Sequence, residues 1–223
     1  SQWGAYGYAQ HGWTYDRILA HYYTGTTLGK AAVTSLRVLV AQVKKTTLTS
    51  ATPVTVVDAA GSKVQLAAGV QLVLKPKLVL AGHPELQAPL TFTARLPMSL
   101  DGKPYRGKLV VSSDGKLVSV VDVLGLEAYL KGVVAAEMPS AWAPEALKAQ
   151  AVAARSYALA NLRKKQPFDL YGDTRDQVYG GVVAESPAAT AAVEATRGQV
   201  VLFGGKVADT LFFSTSGGRT ASA

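Results

Sequence analysis

The sequence contains no cysteine. That excludes disulfides, thiolate nucleophiles and cysteine-ligated zinc. Long hydrophobic runs are missing too: nothing approaches the roughly 18 apolar residues of a membrane-spanning helix, so no membrane span is expected in this chain. The opening residues SQWGAYGYAQ lack a basic segment followed by an apolar one, so a signal peptide is not expected in this chain either. Acidic residues are scarce, 15 Asp and Glu against 23 Lys and Arg, giving a net charge of +8. Such an excess favours an anionic partner, whether nucleic acid, a membrane surface or an acidic wall polymer, or simply aids solubility. The one dense basic run, Arg163-Lys164-Lys165, reads as the basic last turn of a helix, so nucleic acid is not an expected partner.

Familiar catalytic signatures are equally absent. There is no Walker loop and no GxSxG, and Gly4, Gly7 and Gly12 follow no predicted strand, which excludes a dinucleotide fingerprint. Asp169, Asp173 and Asp176 lack the spacing and the glycine of an EF-hand loop. His11 and His21 lie among aromatic residues and read as packed or surface residues, so neither a metal nor another cofactor is expected.

What is present is a chain of 223 residues with 48% hydrophobic and 17% charged residues, enough for one or two domains with a substantial core. Residues 1–30 read as a Gly-aromatic loop followed by one short helix over Tyr15 to Tyr23. From Thr34 to about Val123 short runs rich in Val, Leu and Thr recur: SLRVLVAQV, TPVTVVDA, KVQLAAG, VQLVLK and LTFTARL. Asp101-Gly102 and Asp114-Gly115 are turn signals between such runs, and the region is predicted to be mostly antiparallel β.

After Val123 the period becomes helical. In LGLEAYLKGVVAAEM, Leu126, Leu130, Val133 and Glu137 share one helix face. A second helix is predicted from about Pro144 to Lys165, apolar almost all round and therefore buried. Lys148 and Arg155 stand seven residues apart on one side of it. Ser186 to Thr196 reads as an Ala-rich helix, and QVVLF and VADTLFF read as a hairpin around Gly204-Gly205-Lys206. The predicted fold class is α+β, a mostly antiparallel β region plus a helical core carrying an acid at a helix end. Its expected divisions are 1–30, a Gly-aromatic segment; 31–100, a β-rich accessory domain; and 101–223, the core.

Glu137 is the acid in question. It continues an apolar stripe, so it should be partly desolvated, and desolvation favours a protonated carboxyl. Pro139 places it in the last helical turn, where the negative end of the helix dipole acts in the same direction. A carboxyl that keeps its proton near neutral pH is what a general acid needs. The same pattern also suits a surface Glu at a frayed helix end, or a buried ion pair with Arg155 or Lys148.

EAYLKGVVAAEMPSAWAPEALKAQAVAARSYAL resembles the core signature of the stage II sporulation protein D family, which includes the amidase enhancers. PYRGKL, DQVYGG and FFSTSGGRT resemble its flanking motifs, in the family's order. SQWGAYGYAQHGWTYDRILAHYYTGT resembles a further family segment, usually preceded by a Gly-His-Gly-rich stretch. The resemblance implies a peptidoglycan lytic transglycosylase, cutting between N-acetylmuramic acid and N-acetylglucosamine to leave a 1,6-anhydro end. Its catalytic acid would be Glu137.

By the same resemblance Lys148 and Arg155 form a charge framework for the acid or substrate, or are structural. Gln177 and Tyr179, with Ser214, Thr215, Ser216 and Gly217, would line a glycan groove. The zinc site that some relatives build from His and Cys is not expected here. The implied partners are peptidoglycan glycan strands and, under an alternative reading as a non-catalytic wall-binding module, a cell-wall amidase. The implied location is extracellular or wall-associated in a bacterium. Relatives continue past the serine-rich turn, so the chain is expected to be part of a longer protein.

Overall fold

A computed structural model describes residues 1–32 and 35–216. Along the chain run α1 (Gln2–Gln10), α2 (Tyr15–Tyr22), β1 (Thr27–Lys30), β2 (Ser35–Val43), β3 (Thr46–Thr49), β4 (Val54–Val57), β5 (Lys63–Leu66), β6 (Gln71–Leu74), β7 (Leu90–Ala94), β8 (Met98–Leu100), β9 (Lys103–Tyr105), β10 (Lys108–Ser113), β11 (Val118–Gly125), α3 (Leu126–Glu137), α4 (Pro144–Ala160), β12 (Leu170–Tyr171), α5 (Pro187–Ala195), β13 (Gln199–Phe203) and β14 (Lys206–Val207). The class is α+β. The chain forms two compact units, each assembled from separated stretches: residues 35–129 with 163–183, and residues 1–34 with 130–162 and 184–223. The sequence divides instead into consecutive stretches, because local pattern carries no record of which distant segments pack together.

The first unit is the β unit. A seven-stranded sheet has the order β12-β2-β11-β10-β7-β4-β5 and a four-stranded sheet the order β6-β3-β8-β9. The pairings are antiparallel except β12 on β2, which is parallel. Alternation sets which side chains are buried, and β2 displays how it can be reset. Val120 faces Ala41 but Val121 faces Leu39, so Val40 is an extra residue in the ladder. The bulge shifts the alternation, which is why the adjacent residues Val38 and Leu39 are both buried. Asp101 and Gly102 both take positive φ, 48° and 83°, and join β8 to β9 across the pair Leu100–Lys103. That is the two-residue hairpin geometry an Asp-Gly pair favours.

The second unit is built around α4. Alanine at positions 146, 149, 151, 153, 154 and 158 lets neighbours approach α4 from several sides, and all six are buried. Helices α1, α2 and α5 and strand β13 pack on it. Ala5, Ile18, Leu19, Ala149, Val152, Ala153 and Val201 form one apolar cluster there. Polar bonds lock the same surface: Ser156 Oγ donates to the Val152 carbonyl at 2.7 Å and accepts from Val201 N at 2.9 Å, and Thr210 Oγ1 donates to the Ala153 carbonyl at 2.7 Å. Strands β1, β13 and β14 form a small sheet beside it.

Three local predictions need correction. Residues Gln2–Gln10 are a helix rather than a loop, with the Ser1 hydroxyl accepting from Gly4 N as its N-cap. Packing of Ala5 into the core outweighs the cost of two helical glycines. Helix α4 ends at Ala160, short of Arg163-Lys164-Lys165. Arg163 instead pairs with Asp176 at 2.5 Å and lies 4.8 Å from the Tyr171 ring, a tertiary ion pair rather than a dipole-complementing turn. Finally, β14 holds only Lys206–Val207, and residues 208–216 are not strand.

Candidate functional site

Helix α3 buries Leu126, Leu130 and Val133 completely. Glu137, next on that stripe, closes the helix and is half-buried. Met138 N still donates to the Val134 carbonyl at 3.0 Å, and the chain then turns, with Trp142 N donating to the Pro139 carbonyl at 3.0 Å. The last carbonyls of a helix have no partner within it. Here Gln2 Nε2 donates to the Glu137 carbonyl at 3.1 Å, so α1 caps the end of α3.

An aromatic cluster stands on the turn that follows. Tyr6 and Trp142 stack with centroids 4.7 Å apart and planes 22° apart, and Trp3 meets Trp142 at 4.7 Å and Tyr6 at 6.1 Å. The C-terminal segment joins the same region. Gln2 N donates to the Phe213 carbonyl at 3.0 Å and Trp3 N to the Ser214 carbonyl at 3.1 Å.

The proposed supporting residues fall in different settings. Lys148 is ion-paired to Glu145 at 2.7 Å and faces the Tyr15 ring at 5.9 Å. Glu145 in turn accepts from Tyr15 N at 2.8 Å. Arg155 is 0% exposed and donates to the carbonyls of Ala151, Val193 and Gln199 at 3.3, 3.3 and 3.1 Å. It binds α4 to α5 and β13. Ser214 contributes its backbone carbonyl to α1, while Thr215 and Ser216 line an open groove of about 430 Å³ with Trp3, Tyr8, His11 and Tyr22. Gly217 lies outside the described residues.

Gln177 and Tyr179 belong to the β unit and are 0% and 4% exposed. Their polar atoms face other side chains of that unit rather than a groove. Tyr129 donates its hydroxyl to Gln177 Oε1 at 3.2 Å, and Tyr179 donates to Asp122 Oδ2 at 3.1 Å. Tyr179 also lies 5.1 Å from the Tyr129 ring and 5.8 Å from the Tyr105 ring. Burial pushes the Asp122 carboxyl up to about 6, despite bonds from Tyr179 and the Gly107 amide. Burial, with the nearby charges of Asp122 and Asp101, pushes Tyr105 up to about 12. An amide and a phenol in a dry interior pair with other polar side chains or with backbone.

Residues 114–203 match the family model described as Stage II sporulation protein. This segment belongs to the stage II sporulation protein D family. The chain is 39% identical over 137 residues to an uncharacterised protein of Brachyspira hyodysenteriae, covering 60% of this chain and 37% of that protein. It is 36% identical over 134 residues to the amidase enhancer of Bacillus subtilis, covering 59% of this chain and 18% of that protein. It is 33% identical over 120 residues to the stage II sporulation protein D of Bacillus subtilis, covering 46% and 35%. The chain thus spans well under half the length of these curated relatives. No solved structure matches it significantly.

The sporulation-protein segment contains Glu137, Lys148, Arg155, Gln177 and Tyr179; Ser214, Ser216 and α1 lie outside it. Gln2, Trp3, Tyr6 and Trp142 were not among the expected site residues. The signal that could have found them is the aromatic density of SQWGAYGY and the lone Trp of SAWAP. Among the described residues no group of three or more His, Asp or Glu side chains could hold a metal ion, and no helix is long and apolar enough to cross a membrane.

Proposed function

We propose that the chain acts in the bacterial cell wall as a peptidoglycan lytic transglycosylase, with Glu137 as its single acid and base. The observation that carries this reading is the setting of Glu137. A half-buried carboxyl closes a helix whose stripe is otherwise apolar, its backbone carbonyl is capped by Gln2, and Trp142 of the following turn packs with half-buried Tyr6 and exposed Trp3. Membership of the matched segment in the sporulation-protein family supports it.

In this mechanism the Glu137 carboxyl donates its proton to the glycosidic oxygen as the bond from C1 of the muramic residue breaks. The departing N-acetylglucosamine keeps the bonding electron pair and the proton. The muramic C6 hydroxyl then attacks C1, and the Glu137 carboxylate takes the hydroxyl proton. The ring closes to the 1,6-anhydro product, no water is consumed, and the acid is regenerated. A hydrolytic glycosidase would use a second carboxylate at a set separation. Of the acids after α4, Asp173 pairs with Arg175 at 2.6 Å and Asp176 with Arg163 at 2.5 Å. The +8 charge would draw the protein toward an anionic wall, and an extracellular or wall-associated location follows from the substrate.

Digestion of purified peptidoglycan tests the proposal. Native protein is expected to release anhydro-muropeptides detected by mass spectrometry, and Glu137→Gln to release none while remaining folded. Equal product from both removes Glu137 from the chemistry. A second reading takes its support from the amidase enhancer among the relatives: a wall-binding module that stimulates a separate amidase. Absence of anhydro product from native protein, together with faster release by an added amidase, selects that reading.

A further inference from the structure

We infer that the groove along α1 is a saccharide-binding subsite, and that Trp3 connects it to the Glu137 end of α3. The inference rests on the glycan reading of the preceding section but concerns residues outside the segment that carries it. Three observations support it.

The first is the wall composition. The groove, about 430 Å³, is lined by Ser1, Trp3, Tyr8, His11, Tyr22, Thr215 and Ser216 above Gly4 and Gly7. Its size falls in the range of roughly 300 to 1,000 Å³ usual for small-ligand sites. Among the described residues its lining holds no Lys, Arg, Asp or Glu side chain. Rings and hydroxyls suit a polyhydroxylated ligand, which presents C–H faces to aromatic rings and hydroxyls to oxygen partners.

The second is the floor. Glycines at positions 4 and 7 leave two gaps between the side chains on the groove face of α1. At Gly4 the missing side chain admits the Tyr22 hydroxyl, since an added Cβ would lie 1.8 Å from it. At Gly7 nothing lies within 4 Å of where a Cβ would be. The space above Gly7 is therefore open, and its helix retains a residue that costs about 1 kcal/mol against Ala.

The third is Trp3. It is 54% exposed, lines the groove and also joins the Tyr6–Trp142 stack. The next residue back, Gln2, holds the Glu137 carbonyl. One large exposed ring thus belongs both to the groove and to the aromatic cluster at the end of α3. Contiguous exposed apolar surface marks contact sites, and Trp3 adds its exposed ring to the rings of Tyr6 and Trp142. A glycan strand engaged at Glu137 would extend over Trp3 and lay its next sugars along α1.

Binding separates this inference from the catalytic one. The chain has three tryptophans, of which Trp13 packs under Arg17 and against Tyr8. In a Trp13→Phe background the remaining fluorescence comes from Trp3 and Trp142. Titration with peptide-free glycan strands and with N-acetylglucosamine tetramer, in the non-cleaving Glu137→Gln protein, is expected to change that fluorescence. Trp3→Ala and Gly7→Leu are each expected to weaken binding about tenfold or more. A Cβ at position 7 meets nothing within 4 Å and Leu favours helix over Gly, so the melting temperature of Gly7→Leu should hold, and Trp3→Ala is checked by the same melt. Unchanged affinity in both folded variants overturns the subsite, as does a native protein that binds neither probe. Weakened binding supports it whether or not anhydro product forms, so the failure of the transglycosylase reading would be seen separately.

Discussion

The side-chain amide of Gln2 and the backbone carbonyl of Glu137 are 3.1 Å apart and hydrogen-bonded, although 135 positions separate them in the chain. The bond satisfies a helix-end acceptor with a donor from another helix. It fixes the turn between Glu137 and Trp142 relative to α1. Gln2→Leu keeps the bulk and removes the donor. The expected loss is about 1 kcal/mol, or roughly 2–4 °C in Tm for a chain of this size. Thermal melting measures it, and an unchanged Tm would mean that water replaces the amide without cost.

Arg155 is a buried cation spent on carbonyls. Arg155→Met leaves the Val193 and Gln199 acceptors without their charged donor. A loss of about 3 kcal/mol or more is expected from urea unfolding. Arg155→Lys offers one compact ammonium in place of a planar fork and should recover only part of it. Full recovery by Lys would show that charge alone, not the fork, is required.

Asp122 gives a pH dependence with a definite sign. Its folded pKa is raised from 3.8 to about 6 by burial. The folded chain therefore holds a proton that the unfolded chain has already released. This contribution is fully present below about pH 4 and is lost as pH rises through about 6. Asp122→Asn has no proton to lose, so the variant's stability relative to native should rise between about pH 4 and 6 and level off above, by on the order of 3 kcal/mol. Asp58, Asp114, Asp173 and Glu194 shift in the opposite sense, but they are common to both proteins and cancel in the difference. A pH-independent difference would contradict the assignment.

Gly107 lies against that same carboxylate. A Cβ there would sit 2.0 Å from Asp122 Oδ1 and 2.5 Å from the Val123 carbonyl. One of these is backbone in a paired strand and cannot swing aside. Gly107→Ala is expected to cost about 2 kcal/mol or more, read from the denaturant midpoint. Gly115→Ala is a comparison without any such neighbour, but there the positive φ of 84° sets the cost instead. A stable Gly107→Ala protein would mean that strand β10 shifts to accept it.

Local chemistry makes much of this protein legible in advance. Alternation identifies the strands from β2 to β11, the Asp101-Gly102 pair specifies its hairpin, and the 3.6-residue stripe of Leu126, Leu130 and Val133 locates α3 and its closing acid. These follow from the sequence because each depends on residues within about a turn or a strand of one another. The helix α1 was hidden because Gly4 and Gly7 lower its intrinsic propensity, and only Ala5 packing into a distant core restores it. The roles of Arg163, Gln177 and Tyr179 were hidden for a related reason. A polar side chain takes whichever partner the fold brings within hydrogen-bond reach, here Asp176, Tyr129 and Asp122. The amino-acid order by itself determined the α+β class, the family likeness of the 114–203 segment and the position of one acid at a helix end. Tertiary structure alone decided what surrounds that acid, a glutamine cap and the rings of Trp3 and Tyr6 brought from the far end of the chain onto Trp142, because burial and pairing depend on distances in space that no sequence spacing encodes.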